Sequence, residues 1–242
     1  NIQFGEGGAG TFSDGKLTTN IKNPLAPHVL RWFVDAGAPE EILWQAKPHI
    51  GTDLLVDVVR RMRGQIIAAG GEVRLTGVDY RAVSTVALSL AESGCEVRSE
   101  ADAVSLRSTG ALRSVRPVRT APYPGFPTDA QPVLMAALLR SEGCTVFVEN
   151  IFENRYRHVD ELSRMGAEIR VAGRVAVVNG VRTLHGAAVK CTDLRGGAAL
   201  VIAGLSAEGT TRVTELTHID RGYDAIERDL AALGAQIRRE TT

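Results

Sequence analysis

Three arginines recur at comparable places in the second half of the chain, each in a short polar turn between apolar segments. Arg155 follows Ile-Phe-Glu-Asn, Arg195 follows Thr-Asp-Leu, and Arg221 follows His-Ile-Asp. A guanidinium group binds phosphate or carboxylate through paired hydrogen bonds and keeps its charge. If the three arginines converge on one face, they form an anion site; taken singly, each is an ordinary surface arginine.

Two Thr-Asp pairs, Thr128-Asp129 and Thr192-Asp193, each precede a stretch that is rich in Ala and Leu. Thr128 or Asp129 is expected at the N-terminus of a helix, and Asp193 at the same place in the next helix. A side-chain oxygen there caps the first backbone N–H groups and stabilises the helix by about 1 kcal/mol. The same N–H groups favour a bound anion. For Asp193, both a capping role and a substrate contact stay open.

The elements that carry these residues repeat at intervals of about 70 residues. In each repeat an amphipathic helix ends at a glycine (Gly94, Gly166 or Gly234), and a small residue and an alternating strand follow. Between these glycines, helices are predicted over 131–140 and 198–207, with strands at 145–149 and 211–216. The pattern predicts an α/β domain of repeated units over residues 77–242, with an incomplete first unit. The alternative, a chance similarity of amphipathic helices, leaves the paired Thr-Asp and Glu-Gly anchors unexplained.

Residues 1–76 lack this period and begin with a glycine-rich stretch that precedes predicted helices, the second of them over 60–69. Residues 5–10 fit the G-x-G-x-x-G pattern of a dinucleotide-binding loop, but only four residues precede them to form the strand that this loop requires. Residues 4–17, 36–43 and 46–53 resemble an internal part of a family of FAD-dependent oxidoreductases. That resemblance implies a flavin near the backbone of Gly7, Gly8, Gly10 and Thr11. The alternative is a glycine loop without a ligand.

From about residue 82 onward, five collinear motifs carry a second resemblance. They are Tyr123-Pro-Gly-Phe-Pro-Thr-Asp-Ala-Gln131, Ile151-Phe-Glu-Asn-Arg-Tyr156, Glu161-Leu-Ser-Arg-Met-Gly-Ala167, Thr192-Asp-Leu-Arg195 and His218-Ile-Asp-Arg-Gly-Tyr223. Together they resemble the UDP-N-acetylglucosamine 1-carboxyvinyltransferase family of enolpyruvyl transferases. The resemblance implies an inside-out, barrel-type α/β domain of repeated units, with helices inside and sheet outside. It also implies transfer of the enolpyruvyl group from phosphoenolpyruvate to the 3′-hydroxyl of UDP-N-acetylglucosamine, for peptidoglycan and cell-wall synthesis.

The same resemblance implies roles for individual residues. Asp129 matches the carboxylate that takes the proton from the sugar hydroxyl and contacts the nucleotide sugar, and the backbone of Ile151 meets the same substrate. Contacts with substrate are also implied for Arg155, Asp193, Arg195 and Arg221, with Arg221 near the phosphoenolpyruvate anion. Such a reaction needs a general base, a general acid and a cationic clamp for phosphate and carboxylate.

The general acid of the family is a cysteine on a loop of another domain, and a lysine–asparagine pair also binds phosphoenolpyruvate; the sequence contains no match to either. Cys95, Cys144 and Cys191 lie in the wrong domain for that role and lack zinc-ligand spacing, so we expect free, buried thiols. The isolated chain is therefore expected to be an inactive portion of a transferase. No cofactor or metal is expected, unless residues 1–75 bind FAD.

Composition excludes some partners. The 28 basic and 28 acidic residues balance, which excludes a broadly basic nucleic-acid surface or a polybasic membrane anchor. No apolar run approaches the roughly 20 residues that span a bilayer, so a cytoplasmic protein is expected. The chain begins without Met and is expected to be a piece of a longer one.

Two alternative interpretations of the whole chain stay open, and the oligomeric state is not predicted. The chain is a fragment of an FAD-dependent oxidoreductase in the first. In the second, it is a chimera without native activity, joined near Thr76–Arg81.

Overall fold

The computed structural model describes residues 26–45, 49–51, 54, 55, 57, 58, 61, 71–108 and 110–240. The chain divides into two compact units, residues 1–70 and 71–242. The glycine-rich residues 5–10, including the predicted flavin contacts Gly7, Gly8, Gly10 and Thr11, lie outside the described residues. So does nearly all of the helix predicted over 60–69. Those predictions stay predictions.

The described residues of the first unit form a small hydrophobic core. Helix α1 spans Ala26–Asp35, and a 3-10 turn spans Glu40–Leu43. Gly37 follows α1 with a φ of 98°, a conformation that favours glycine and ends the helix. The buried side chains of this core are Ala36, Ala38, Ile42, Ile50, Leu55 and Val58.

The second unit begins with a three-stranded antiparallel sheet. Strands β1 (Glu72–Thr76) and β2 (Glu96–Ser99) both pair with β3 (Ala103–Arg107), which is the central strand. Helix α2 (Tyr80–Glu92) connects β1 to β2, and Asp79 caps it by accepting from the backbone N–H of Arg81. Because β1 is part of this sheet, the compact unit begins at residue 71. The sequence predicts the join six residues later, and a boundary between unrelated segments at 76/77 stays a prediction.

A four-stranded sheet follows, in the order β4-β5-β7-β6. Its strands are β4 (Val118–Arg119), β5 (Cys144–Val148), β6 (Glu168–Ala172) and β7 (Val175–Asn179). Only β4 and β5 run parallel within it. Two short parallel pairs complete the strands of the described chain, namely β8 (Leu184–His185) with β10 (Ala207–Glu208) and β9 (Ala188–Lys190) with β11 (Arg212–Thr214).

The helices of the second unit differ in how far they are buried. Helices α3 (Gln131–Ala137) and α5 (Leu194–Leu205) are buried on most sides and pack against each other, as sequences that are apolar all round require. A 3-10 turn over Leu138–Arg140 extends α3. A second 3-10 turn (Arg155–His158) leads into α4 (Val159–Arg164), and α6 (Thr217–Asp220) and α7 (Ile226–Ala232) complete the set. Strands β5 and β7 alternate between buried and less buried residues.

The predicted repeat is visible in the glycines. Gly94, Gly166 and Gly234 have φ values of 108°, 90° and 96°, the left-handed conformation expected where a helix ends. Strands β2 and β6 follow the first two glycines, as predicted. The strand predicted after Gly234 is wrong, because residues 235–240 are not paired with any strand of the described chain. The α/β class is confirmed, whereas closure into a barrel stays a prediction.

Helix boundaries also differ from the prediction in one informative way. The helix predicted over 198–207 is α5, which begins four residues earlier because Asp193 caps it at that point. The capped start also brings Gly196 and Gly197 into the helix. A Cβ atom on Gly197 would lie 2.7 Å from Ile219 Cγ1, so glycine is needed for α6 to pack this closely.

Candidate active site

Asp129 lies in a turn that leads into α3. The helix begins at Gln131, its N-cap is Ala130, and no side chain caps it. The prediction that Thr128 or Asp129 caps this helix is therefore wrong. Ala130 precedes the helix in a helical conformation, and the Asp129 carboxylate has other partners than the first N–H groups of the helix.

Those partners are two arginines from two different parts of the repeat. Arg155 Nη2 lies 2.7 Å from Asp129 Oδ1, and Arg195 Nη2 lies 2.8 Å from Asp129 Oδ2. The Arg155 side chain is 10% exposed and that of Arg195 is 26% exposed, whereas the Asp129 side chain is 55% exposed. The cluster thus has a carboxylate that faces solvent and cations that lie deeper.

The electrostatics keep this carboxylate charged. Partial burial acts to raise the pKa of Asp129, but hydrogen bonds from Arg195 and Arg155 outweigh it and hold the pKa below its ordinary value. Burial acts to lower the pKa of Arg195, and here the bonds to Asp129 and Tyr223 outweigh it and raise the pKa. Both shifts favour the charged forms of Asp129 and Arg195.

Each arginine is held by an aromatic ring and an oxygen. Arg155 donates through Nε and Nη2 to the carbonyl of Thr128, at 3.3 and 2.9 Å, and its guanidinium carbon lies 5.0 Å from the centre of the Phe152 ring. Arg195 Nη1 donates to the Tyr223 hydroxyl at 2.9 Å, and its guanidinium lies 5.4 Å from that ring. Cation–π contacts of this kind add to the ion pairs and fix the direction of each guanidinium.

Asp193 has a structural position. Its Oδ1 accepts from the backbone N–H groups of Arg195 and Gly196, at 3.0 and 2.9 Å, so it is the N-cap of α5. The capping interpretation of this residue is what the geometry shows, and a contact with substrate stays a prediction. By capping α5, Asp193 fixes the first turn of the helix, which carries Arg195.

Ile151 and Arg221 lie apart from the ion pairs. The Ile151 side chain is exposed, and its N–H donates to Glu149 Oε1 at 2.8 Å, whereas contact of its backbone with a substrate stays a prediction. Arg221 does not join Asp129. Its Nη2 lies 3.2 Å from His218 Nδ1, and it lines a cavity of about 650 Å³ together with Tyr223. Two of the three predicted arginines therefore converge, and Tyr223 connects them to the cavity that contains the third.

Three residues of this region were missed by the sequence analysis. Glu149 is fully buried and accepts hydrogen bonds from both sides of the site. Tyr223 stood in a recognised motif without a role. His158 is fully buried beside the first turn of α5. Of the three, Glu149 carries a signal in the sequence, because a charged residue there directly follows the apolar residues 146–148.

The thiols do not form part of this site. All three cysteines are free, and Cys95 and Cys191 are buried, but Cys144 is exposed, contrary to the prediction. Burial, with the nearby charges of Asp193, Asp220 and Glu215, raises the pKa of Cys191 to about 11. Within the described residues there is no group of three or more side chains suited to bind a metal ion. No helix of the described chain is both long and apolar enough to span a bilayer.

Comparison with known proteins identifies the class to which this fold and site belong. Residues 62–230 match the family described as EPSP synthase (3-phosphoshikimate 1-carboxyvinyltransferase). The match covers more than half of the chain, so the chain belongs to this family of enolpyruvyl transferases.

Individual relatives indicate which enolpyruvyl transferases this chain is similar to. UDP-N-acetylglucosamine 1-carboxyvinyltransferase of Desulfofundulus thermocisternus is 52% identical over 172 residues, which are 71% of this chain and 70% of that protein. The protein of the same name from Gluconacetobacter diazotrophicus is 51% identical and is matched over 40% of its length. That from Nitratidesulfovibrio vulgaris strain DP4 is 41% identical over 96% of this chain and 59% of its own. The chain thus spans 40 to 70% of these relatives.

Solved structures agree in fold. The enolpyruvyl transferase NikO from Streptomyces tendae matches 71% of this chain and 40% of its own, with a TM-score of 0.64 and 31% identity. EPSP synthase from Acinetobacter baumannii matches 65% of this chain and 40% of its own, with a TM-score of 0.50 and 21% identity, and shares the fold alone. The flavoprotein resemblance of residues 1–75 gains no support, and the match to the N. vulgaris protein extends into that segment.

Proposed function

We propose that the chain forms the Asp129 side of the active site of a UDP-N-acetylglucosamine 1-carboxyvinyltransferase. The reaction transfers the enolpyruvyl group of phosphoenolpyruvate to the 3′-hydroxyl of the nucleotide sugar, for peptidoglycan precursor synthesis. The observation that carries the proposal is the Asp129 carboxylate, held between Arg155 and Arg195 at 2.7 and 2.8 Å. A base and a cationic clamp stand together there, in a chain that is 52% identical to a protein of that name.

In the proposed step, the 3′-oxygen forms a bond to C2 of phosphoenolpyruvate while C3 takes up a proton from a general acid. Asp129 takes the proton from the hydroxyl. Loss of phosphate and of one C3 proton from the tetrahedral adduct then restores the double bond. The arginines stabilise the negative charge of phosphate and carboxylate through bidentate hydrogen bonds. We place the general acid in the part of the relatives' sequences that this chain does not match.

The ion pairs have a consequence for the base. A carboxylate whose pKa is held low is a weak proton acceptor, and general-base catalysis works best when the pKa is near the working pH. We therefore propose that the arginines turn from Asp129 to the substrate anions on binding. Loss of those hydrogen bonds raises the pKa of Asp129 at the moment when the hydroxyl is in place.

Other substrate contacts in this proposal involve Arg195, Arg155, Arg221 and the Ile151 carbonyl, with Asp193 holding the first turn of α5. The chemistry requires no cofactor. Both substrates are multiply charged and do not cross a bilayer unaided, so we place the reaction in the cytoplasm. Nucleic acid and membrane have no part in it.

The test is calorimetric titration of UDP-N-acetylglucosamine into the full chain and into Asp129→Asn. The amide is a poorer acceptor for the sugar hydroxyl than the carboxylate is, and we expect about tenfold weaker binding in the variant. Asp160→Asn, which neutralises an exposed carboxylate on α4, is the matched control and should bind as the unmodified chain does. Equal affinities for the chain and Asp129→Asn would contradict the proposal.

Turnover is the second measurement. Incubation of the chain alone with both substrates should release no phosphate, because the general acid and the lysine–asparagine pair of the family are not in this sequence. Phosphate release that Asp129→Asn abolishes would show instead that these 242 residues suffice.

A further inference from the structure

Glu149 is a buried carboxylate that no step of the proposed reaction uses. It follows the last residue of β5, and its side chain has no exposure to solvent. A buried charge is costly unless hydrogen bonds satisfy its lone pairs, so a position of this kind is kept for what it binds.

Its two oxygens together accept four hydrogen bonds. Oε1 accepts from Thr120 Oγ1 at 2.9 Å and from the backbone N–H groups of Ile151 and Phe152, at 2.8 and 3.0 Å. Oε2 accepts from Thr128 Oγ1 at 3.0 Å. Donors therefore come from the end of β4, from the turn before α3 and from the segment that follows Glu149 itself.

The two outer partners belong to the two sides of the site. Thr128 precedes Asp129, and its carbonyl accepts two hydrogen bonds from Arg155. Phe152 supplies the ring on which the Arg155 guanidinium lies. Glu149 is thus the one carboxylate of the described residues that contacts both the Asp129 turn and the segment of Ile151 and Phe152.

We propose that Glu149 is a positioning residue, which sets the separation between Asp129 and the Ile151–Phe152 backbone and thereby the width of the nucleotide-sugar site. The proposal rests on the function proposed above, since it assigns that site its spacing. Glu149 touches no substrate in it. It acts through Thr128, which orients Asp129 and Arg155, and through the two N–H groups that hold the opposite side.

The test cuts one connection at a time. Thr128→Val removes only the hydroxyl that reaches Glu149 and keeps the side-chain shape and the carbonyl that Arg155 uses. Thr145→Val is the control, because Thr145 is a buried threonine of β5 whose hydroxyl accepts from Val115 N at 3.2 Å. Each variant loses one hydroxyl that forms a hydrogen bond, so both should lose similar thermal stability.

Two readouts separate positioning from stability. Thr128→Val should weaken UDP-N-acetylglucosamine binding about tenfold and speed hydrogen exchange of the Arg155 Nε–H by a similar factor, whereas Thr145→Val should change neither. Glu149→Gln keeps one acceptor oxygen and replaces the other by an amide NH2 group, from which Thr128 Oγ1 can accept a hydrogen bond. It should therefore retain affinity within about threefold of the unmodified chain.

The proposal is overturned if Thr128→Val leaves Arg155 exchange unchanged, or if Thr145→Val alters it equally. A loss in Glu149→Gln as large as that in Asp129→Asn would also overturn it, because charge and not spacing would then be what Glu149 supplies. If the unmodified chain binds no UDP-N-acetylglucosamine, the proposed function fails, and the exchange measurement on the ligand-free chain still decides the role of Glu149.

Discussion

The turns before α3 and α5 carry the same dipeptide, Thr-Asp, and use it in two ways. Asp193 has an extended backbone, with φ −163° and ψ 175°, and its carboxylate caps α5. Asp129 stands one residue further from its helix, which Ala130 precedes in a helical conformation, and its carboxylate pairs with Arg155 and Arg195. A shift of one residue in the helix start converts a structural carboxylate into one that faces solvent.

The comparison of the two turns indicates that α3 lacks a stabilising cap at the place where the site has its carboxylate. Helix α3 has no side-chain cap. An Ala in place of an Asp or Thr at the N-cap normally lowers the stability of a helix by about 1 kcal/mol. Pro132 in its first turn lessens that loss, because proline has no N–H that needs a partner. The Asp129 carboxylate therefore pairs with the arginines of the site and does not cap α3.

The largest expected effect concerns His158, which packs on the capped turn of α5. Burial lowers the pKa of His158 to about 4, so the folded chain holds it neutral while the unfolded chain takes up a proton below pH 6.5. Stability should therefore fall as the pH drops from about 6.5 to about 4. Between pH 7 and pH 5 we expect a loss of about 2 kcal/mol in the free energy of unfolding.

Urea denaturation at the two pH values measures this loss. In His158→Leu the difference between the two pH values should shrink by that amount. His185→Leu, at an exposed histidine, should keep the difference of the unmodified chain. An unchanged pH dependence in His158→Leu would show that another group carries it.

The second prediction compares the two aspartates directly. Asp193→Ala removes the acceptor of two backbone N–H groups at a buried helix and should cost about 1.5 kcal/mol of unfolding free energy. Asp129→Ala removes ion pairs of a half-exposed carboxylate and should cost about 0.5 kcal/mol. Chemical denaturation followed by circular dichroism measures both losses of unfolding free energy. Equal losses would contradict the different roles assigned to the two aspartates.

The smallest effect is expected at Thr192, the threonine that precedes Asp193. Thr192 Oγ1 lies 3.3 Å from Asp193 Oδ2, a weak contact, so Thr192→Val should change stability by no more than about 0.5 kcal/mol. Thr128→Val loses a 3.0 Å bond to a buried carboxylate and should cost more. The same denaturation curves test it, and a reversed order would contradict the geometry.

The sequence predicted most of the repeat and singled out Asp129, Arg155 and Arg195, which the structure brings together. The left-handed glycines follow from motifs that lie in single stretches of chain, whereas the pairing of Arg155 and Arg195 with Asp129 joins three separate stretches and was not predicted. Glu149 and His158 could not be recognised, because their partners and neighbours come from remote turns. Whether Asp129 or Asp193 caps its helix depends on one residue of offset, which propensity cannot resolve. The strand expected after Gly234 needed a neighbouring strand, which no local pattern supplies.

The two ion pairs of Asp129 close chain loops of different length, 26 residues to Arg155 and 66 residues to Arg195. Closing the longer loop costs about 0.8 kcal/mol more chain entropy. During folding we therefore expect Arg155 to meet Asp129 first, with Arg195 joining only after α5 has docked on α3. The ion pair of Arg195 with Asp129 then forms only when two neighbouring repeats have assembled. Its formation therefore marks a late step of folding, in addition to completing the site.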